Sequence, residues 1–210
     1  VIDDTMEHIN VLPALWERVR AELTQVQVQT AAALLLEGWV SPHFYTMGMS
    51  HAEDIVTLSR SGHLPPEPPE RRSMVTIRMA TVDDLPKMIA IDHAAFPPLW
   101  QMTYDEIRRA KKLAAVCTLA LTAKNQVVGY QLSTLYNRSG HLARLAVSPE
   151  AQNMGVGAAL LDDLLWRFIR REVQTITVNT QASNDISQRL YQRHEFRLNG
   201  HSLQVWMARL

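Results

Sequence analysis

Gly155 and Gly157 stand just ahead of a long apolar-periodic run in AVSPEAQNMGVGAALLDDLLWRF, residues 146–168, and no other feature limits the fold as much. Val156, Leu160, Leu164 and Phe168 recur every fourth residue, with Ala159, Leu161 and Leu165 beside them. That spacing predicts a helix with a wide apolar face, suited to packing on a sheet. The stretch before it, GHLARLAV, reads as a strand. The glycines therefore fall between a strand and a helix N-terminus. There the first N–H groups have no intrahelical partner and the helix dipole is positive. Glycine permits unusual dihedrals and lets a charged group approach the backbone. Two readings follow: a cradle for phosphate, or a plain strand–helix turn whose glycines serve packing.

The surrounding elements give the turn its setting. MVTIRMA (74–80) alternates as a strand does, and TVDDLPKMIAIDHAAFPP reads as a helix capped by Thr81 or Asp83, buried through Leu85, Met88, Ile89 and Ala95, and ended by Pro97 and Pro98. Thr103, followed three residues later by Glu106, starts a second helix. LAAVCTLALTA, QVVGYQLSTLY and GHLARLAV are three strands, the first two joined by a turn at KNQ. TITV is a strand, NDISQRLYQRHEF a helix and SLQVWMARL a last strand. Within the long helix Asp163 and Arg167 form an i,i+4 pair. Strand, two helices, three strands, helix, strand, helix, strand is an α+β order with a mixed, mostly antiparallel sheet flanked by helices.

Two phosphate motifs fail here. A P-loop needs Lys-Ser or Lys-Thr after its glycines, and neither is present. A dinucleotide fingerprint needs glycine where Leu160 stands and a carboxylate about twenty residues on, where the chain reads VNT. A third motif matches: QNMGVG, Gln152 to Gly157, resembles the Q/R-x-x-G-x-G/A turn of the GNAT acyltransferase superfamily. HLARLAVSPEAQNMGVGAALL is similar to that family's fourth strand, loop and third helix, and VNTQASNDISQRLYQRHEF to its fifth strand and fourth helix. The resemblance covers about residues 74–210.

The resemblance implies a GNAT fold and an N-acetyltransferase using acetyl-CoA, with no metal. It implies that the pantetheine arm pairs with strand backbone at Leu145, Ala146 and Val147. The pyrophosphate is expected on the N–H groups of Gln152, Asn153, Met154, Gly155, Val156, Gly157 and Ala158. Asn184 and Tyr191, seven residues apart on one helix face, are expected to point at the pantetheine and thioester, Tyr191 as donor to the leaving thiolate. A core-packing tyrosine is the other reading of Tyr191. Asn153 and Met154 stand where the family often has glycine and a basic residue, so phosphate is held mainly by backbone. Glu195 stands where the family usually closes the fourth helix with glycine, which predicts a reshaped helix end. The fifth strand carries Thr177-Val178-Asn179 and no carboxylate.

An amine acceptor must lose a proton on attacking a thioester. His141, Asp92 and His93 are the candidates for the base. Arg144 either orients a substrate carboxylate or makes an ion pair, and Phe96 to Trp100 either lines the acceptor or packs in the core. The acceptor is a small amine, an antibiotic, a peptide α-amine or a lysine. Another acyl-CoA as donor, or an acyl-CoA-binding sensor or scaffold without turnover, are the alternatives.

Arg60 to Ser73, RSGHLPPEPPERRS, cannot continue a helix or central strand and divides the chain into 1–60, a proline-rich linker at 61–73, and a main domain at 74–210. LWERVRAELTQVQVQT (15–30) lies without a gap on LWRFIRREVQTITVNT (165–180), so residues 1–60 resemble a degenerate second half of a GNAT unit, an N-terminal partial repeat. This predicts a helix at Leu15–Leu23, strands at Gln25–Gln29 and Phe44–Met49, and Gly38-Trp39 in place of the family's Gly-Phe. AAALLLEGW is too apolar for a free tail and docks on its own main domain or on a second copy, so a homodimer is among the expected arrangements.

Composition sets the bounds. With 210 residues, 47% hydrophobic and 20% charged, the chain is of the globular class. Lys plus Arg and Asp plus Glu number 21 each, which gives no electrostatic reason to expect nucleic acid or a membrane surface. The single Cys117 excludes an intrachain disulfide and reads as a buried structural thiol. VIDDTMEHIN lacks the basic and apolar regions of a signal peptide, so a cytoplasmic setting is expected, and a first residue other than Met leaves room for residues before Val1.

Overall fold

The computed structural model describes residues 8–36, 40–67 and 74–210. In chain order its elements are α1 (His8–Gln25), β1 (Thr30–Leu35), α2 (Ser41–Thr46), β2 (Ser50–Ser61), β3 (Thr76–Met79), α3 (Leu85–Ala95), α4 (Tyr104–Leu113), β4 (Val116–Leu121), β5 (Val127–Tyr136), β6 (Ser139–Val147), α5 (Val156–Ile169), β7 (Thr175–Gln181), α6 (Asp185–Arg193) and β8 (Arg197–Arg209). The strands follow the order β1-β8-β2-β7-β6-β5-β4-β3 in one mixed sheet. Two compact units divide the chain: one of Val1–Val56, Thr180–Asp185 and Gly200–Leu210, the other of Thr57–Asn179 and Ile186–Asn199.

The larger unit is built as local signals dictate. β3, β4, β5 and β6 pair antiparallel, and β6 pairs parallel with β7. Neighbouring residues of β4 face opposite ways, as a pleated strand requires. Leu119 packs with Leu85, Met88, Ile91 and Ile107 of α3 and α4, whereas Ala120 packs with Val156 and Leu160 of α5. The sheet is thus covered on one face by α3 and α4 and on the other by α5. Cys117 is buried in the first of these layers, and burial pushes its thiol up to about 11, so it stays protonated and structural.

Helix ends are set by the residues the sequence singles out. Thr103 and Glu106 form a reciprocal capping box, the Glu106 N–H donating to Thr103 Oγ1 at 3.3 Å and the Thr103 N–H to Glu106 Oε2 at 2.7 Å. Asn125 turns the β4–β5 hairpin at φ 60°. Glu195 keeps the left-handed cap at φ 63°, with Phe196 N–H on Tyr191 C=O and Glu195 N–H on Gln192 C=O, both at 3.0 Å. The end of α6 is therefore an ordinary Schellman turn and is not reshaped, at a cost of about 1 kcal/mol against glycine. Buried Arg60 steadies it, donating to His194 C=O at 2.9 Å and Leu64 C=O at 2.5 Å and lying 3.4 Å from Glu195 Oε2.

Asp84 supplies a pH-dependent part of stability. Its carboxylate accepts two hydrogen bonds from Arg78 at 2.7 Å each and one from the Thr81 N–H at 2.8 Å. The Arg78 guanidinium holds its pKa well below the usual carboxylate range, the bonds from Thr81 adding to this against the opposing cost of burial. The folded value lies below the unfolded one. The contribution is therefore complete above about pH 4, the unfolded value, and is lost as pH falls through the folded value. Asp84→Asn is expected to lower Tm at pH 7 and to shrink the Tm difference between pH 7 and pH 3. Equal pH dependence in wild type and variant would remove Asp84 from this role.

In the smaller unit α1 spans the predicted helix at Leu15–Leu23, but the two predicted strands are corrected. Gln25–Gln29 is the end of α1 and its closing turn: Gln27 is left-handed at φ 59° and the Val28 N–H reaches Leu23 C=O at 3.1 Å. The strand starts at Thr30 and pairs antiparallel with β8, Thr30 opposite Arg209. Phe44–Met49 is the second half of helix α2 and the turn that follows it, and Pro42 in the first turn of α2 loses no hydrogen bond. Phe44 and Met47, three apart, then share a face against Trp206, the Phe44 and Trp206 rings lying 5.5 Å apart. Gly38-Trp39 and linker residues 68–73 lie outside the described residues.

Candidate active site

The site begins where two strands part. β6 and β7 pair only from Ser139 with Thr175 to Leu142 with Val178, while β6 continues to Val147. A bulge lies at the same place: Ser133 of β5 faces Leu142 and Leu132 faces Arg144, which leaves Ala143 without a counterpart. Beyond it the ladder to β5 resumes, and the Ser148 N–H donates to Val128 C=O at 2.9 Å. Residues of an antiparallel strand turn their N–H and C=O together, alternately to one side and the other. Ser148 and Ala146 therefore turn toward β5, and Leu145 and Val147 turn to the side that β7 has left. Of the three backbone positions expected from sequence, Leu145 and Val147 offer hydrogen bonds into the opening and Ala146 does not.

The turn that follows presents the helix N-terminus. Asn153 and Gly155 are both left-handed, at φ 60° and 78°; asparagine tolerates this conformation and glycine has no penalty for it. Gly155 is the N-cap of α5, and no side chain caps it. The first intrahelical bond is from Ala159 N–H to Gly155 C=O at 3.0 Å. The N–H groups of Val156, Gly157 and Ala158 come before it and so have no intrahelical acceptor. Gly157 is not left-handed; its role is space. A Cβ there would come 3.3 Å from Leu190 Cδ2 and 3.8 Å from Val147 Cγ2. Gln152 braces the turn, its N–H donating to Pro149 C=O at 3.3 Å and its side-chain amide to Val147 C=O at 3.2 Å. Three successive outward N–H groups at a positive dipole end fit a pyrophosphate.

Tyr191 lies on α6 next to Leu190, the residue that Gly157 leaves room for. It is 5% exposed, and its ring lies 5.9 Å from that of Phe196. Burial pushes its phenol well above the ordinary tyrosine value. It therefore remains protonated at any ordinary pH, with its hydroxyl proton available to donate. Asn184 is in the smaller unit, one residue ahead of α6, where its N–H donates to Gln181 C=O at 3.0 Å.

The other candidates separate clearly. Asp92 is 0% exposed and committed: it accepts from Arg144 Nε and Nη2 at 2.8 Å each, from the Met102 N–H at 2.8 Å, and from the Tyr130 hydroxyl. Arg144 also donates to Trp100 C=O at 2.6 Å and lies over the Phe96 ring at 3.5 Å. Of the two readings of Arg144 the structure has the ion pair, and the Asp92 carboxylate is engaged in it. The pair instead ties the Phe96–Trp100 loop to β6. His93 Nε2 is 3.0 Å from Met102 C=O. His141 is half-buried, its Nδ1 2.9 Å from Thr177 Oγ1 across the parallel pair. No local pattern signals the Asp92–Tyr130 bond or the His141–Thr177 pair, because they join residues 38 and 36 apart, respectively.

Among the described residues no helix is long and apolar enough to cross a membrane, and no group of three His, Cys, Asp or Glu side chains is placed to hold a metal.

The Acetyltransferase (GNAT) family matches residues 85–196, more than half of the chain and all of the site's larger-unit residues. An uncharacterized N-acetyltransferase of Methanocaldococcus jannaschii is 32% identical over 82 residues, 39% of this chain and 53% of that protein. The [ribosomal protein bS18]-alanine N-acetyltransferase of Escherichia coli is 27% identical over 120 residues, 57% of this chain and 78% of that enzyme. A GCN5-related N-acetyltransferase from Sphaerobacter thermophilus shares the fold with a TM-score of 0.71 at 21% identity, across 93% of this chain and 65% of that one. The chain thus spans about half the length of the first of these relatives and just under two thirds of the third.

Proposed function

Because the chain belongs to the acetyltransferase (GNAT) family, we propose that it transfers acetyl from acetyl-CoA to a primary amine by direct attack of the amine on the thioester. The observation that carries this reading is the parting of β6 from β7 beside the outward N–H groups of α5. One opening thus offers strand backbone for an amide-bearing arm and a dipole end for its pyrophosphate. Leu145 and Val147 pair with the arm, and Val156, Gly157 and Ala158 hold the phosphates. The Val147 N–H donates to the thioester oxygen as negative charge develops there, in a water-poor setting where such a bond is worth most. Tyr191 donates to the departing sulfur. Asn184 belongs to the same reading as a pantetheine contact, and residues 1–60 as a degenerate half-unit before the domain.

Acetyl-CoA supplies the activated acyl group; the residues of the chain hold, orient and polarise it. The acceptor panel includes small amines, lysine side chains and peptide α-amines, the last because the Escherichia coli relative is named for an alanine of a ribosomal protein. A non-catalytic acyl-CoA sensor is favoured by one observation, the absence of a carboxylate at Thr177-Val178-Asn179. Thiol release with the amine panel separates the two: release requires an enzyme.

CoA is expected to raise the melting temperature in a concentration-dependent way, through a stabilisation of about 2.7 kcal/mol at one hundred times its Kd. Gly157→Glu is expected to abolish that protection. The side chain meets Leu190 and places a negative charge among the phosphates. Undiminished CoA protection in a folded Gly157→Glu protein would refute the assigned loop.

A further inference from the structure

The proposed reaction needs a group to take the proton of the attacking amine, and Asp92 is committed elsewhere. His141 occupies the pair of β6 and β7 residues one step before the last, His141 with Thr177, at the base of the opening. Which face it occupies follows from its neighbours. A Cβ on Gly140 would strike the Phe168 ring of α5, at 2.4 Å, so Gly140 faces α5. His141 must then face the α3 side. Arg144, three residues on, would alternate to the opposite face in a regular strand. The extra residue Ala143 brings it back, and its contact with Asp92 of α3 proves the side. The bulge thus puts His141 on the same face as the Arg144–Phe96–Trp100 wall.

The same contacts favour one tautomer. Nδ1 lies 2.9 Å from Thr177 Oγ1, and that hydroxyl reaches back toward Gly140 C=O at 3.5 Å. With its own proton turned toward Gly140 C=O, the Thr177 hydroxyl accepts from Nδ1, which leaves the lone pair on Nε2. No charge disturbs this arrangement. β5 offers Thr134 opposite and β7 offers Thr177. On α3 and β6 the charged groups Asp92 and Arg144 neutralise each other, and His93 is bonded to Met102 C=O.

We propose that His141 is the general base of the acetyl transfer, receiving the amine proton at Nε2, and that Thr177 is the positioning residue that holds its tautomer. The proposal rests on the acetyltransferase reading above. The amine lone pair forms the N–C bond, the C–S bond breaks, and its electron pair leaves on sulfur. The proton from nitrogen goes to His141 and then to solvent, and the thiolate takes a proton to leave as CoA thiol. Burial lowers the His141 pKa below its ordinary value, so the ring is neutral at pH 7 and is lost as a base only on acidification.

The experiment combines kinetics with NMR on the full chain, after an acceptor has been found with the wild type. H141Q is expected to reduce kcat by about 10²- to 10⁴-fold, with the thermal protection by CoA unchanged. Imidazole is expected to restore part of the rate to H141A, and the acid limb of the wild-type kcat profile, below pH 6.5, to disappear in H141Q. T177V is expected to lose less rate, and the ring nitrogen shifts of His141 to report the Nδ1–H tautomer in wild type but not in T177V. A folded H141Q with wild-type kcat while chemistry limits the rate, or an Nε2–H tautomer in the wild type, overturns the proposal and leaves the acetyltransferase reading standing. A wild type that binds CoA but releases no thiol with any amine overturns both.

Discussion

Tyr191→Phe is expected to lower kcat by about 10²- to 10⁴-fold, the range for a positioned proton donor, while CoA still protects the fold against heat. The substitution removes one hydroxyl and keeps the ring, so the contact with Phe196 at 5.9 Å survives and stability changes little. The reason for the size of the effect is the protonation state. A buried phenol, pushed well above its ordinary value, does not ionise on its own. A thiolate beside it is a charge that this hydroxyl can meet at no cost of reorganisation. A phenol near 10 is a weaker acid than a thiol near 8.5 in water, so the hydrogen bond matters as much as full transfer of the proton. Single-turnover kinetics with acetyl-CoA and the best acceptor would measure it. A Phe variant at full speed, with chemistry shown to limit the rate, would make Tyr191 a core residue.

Asp92→Ala is expected to cost about 3–5 kcal/mol of stability, the range for removing one partner of a buried ion pair. Asp92 is wholly buried and accepts four hydrogen bonds, from Arg144 twice, the Met102 N–H and the Tyr130 hydroxyl. Without it the Arg144 guanidinium, whose side chain is 14% exposed, keeps Trp100 C=O and the face of Phe96 but loses its paired carboxylate. Two further donors lose their acceptor. Replacing both members, as in Asp92→Leu with Arg144→Met, is expected to cost less than the sum of the single changes, because no charge is then left unpaired. Urea unfolding of the four proteins measures the cycle. A loss under 1 kcal/mol for Asp92→Ala would show the pair to be solvated and its role in tying the Phe96–Trp100 loop to β6 wrong.

The sequence by itself determined what lies within a turn or two of chain. The Thr103–Glu106 box, the Asn125 turn, the Gly155 cap and the Asp163–Arg167 pair, at 2.7 Å, each answer a local backbone or side-chain requirement over at most four residues. The order of such elements, with QNMGVG between a strand and a helix, was enough to point to the family. Where local signals conflict the reading failed. Phe44–Met49 alternates weakly like a strand but also has its apolar residues three apart behind Pro42, and packing of Phe44 on Trp206, 162 positions away, chose the helix. The site's chemistry was decided by the tertiary structure alone. Only the fold brings Asp92 to Arg144 across 52 residues and His141 to Thr177 across 36. Only the single-residue bulge at Ala143 turns His141 and Arg144 to one face. Hydrogen bonding between strands and burial between layers join residues that no local pattern links, and whether a carboxylate is a base or half of an ion pair depends on which residue arrives beside it.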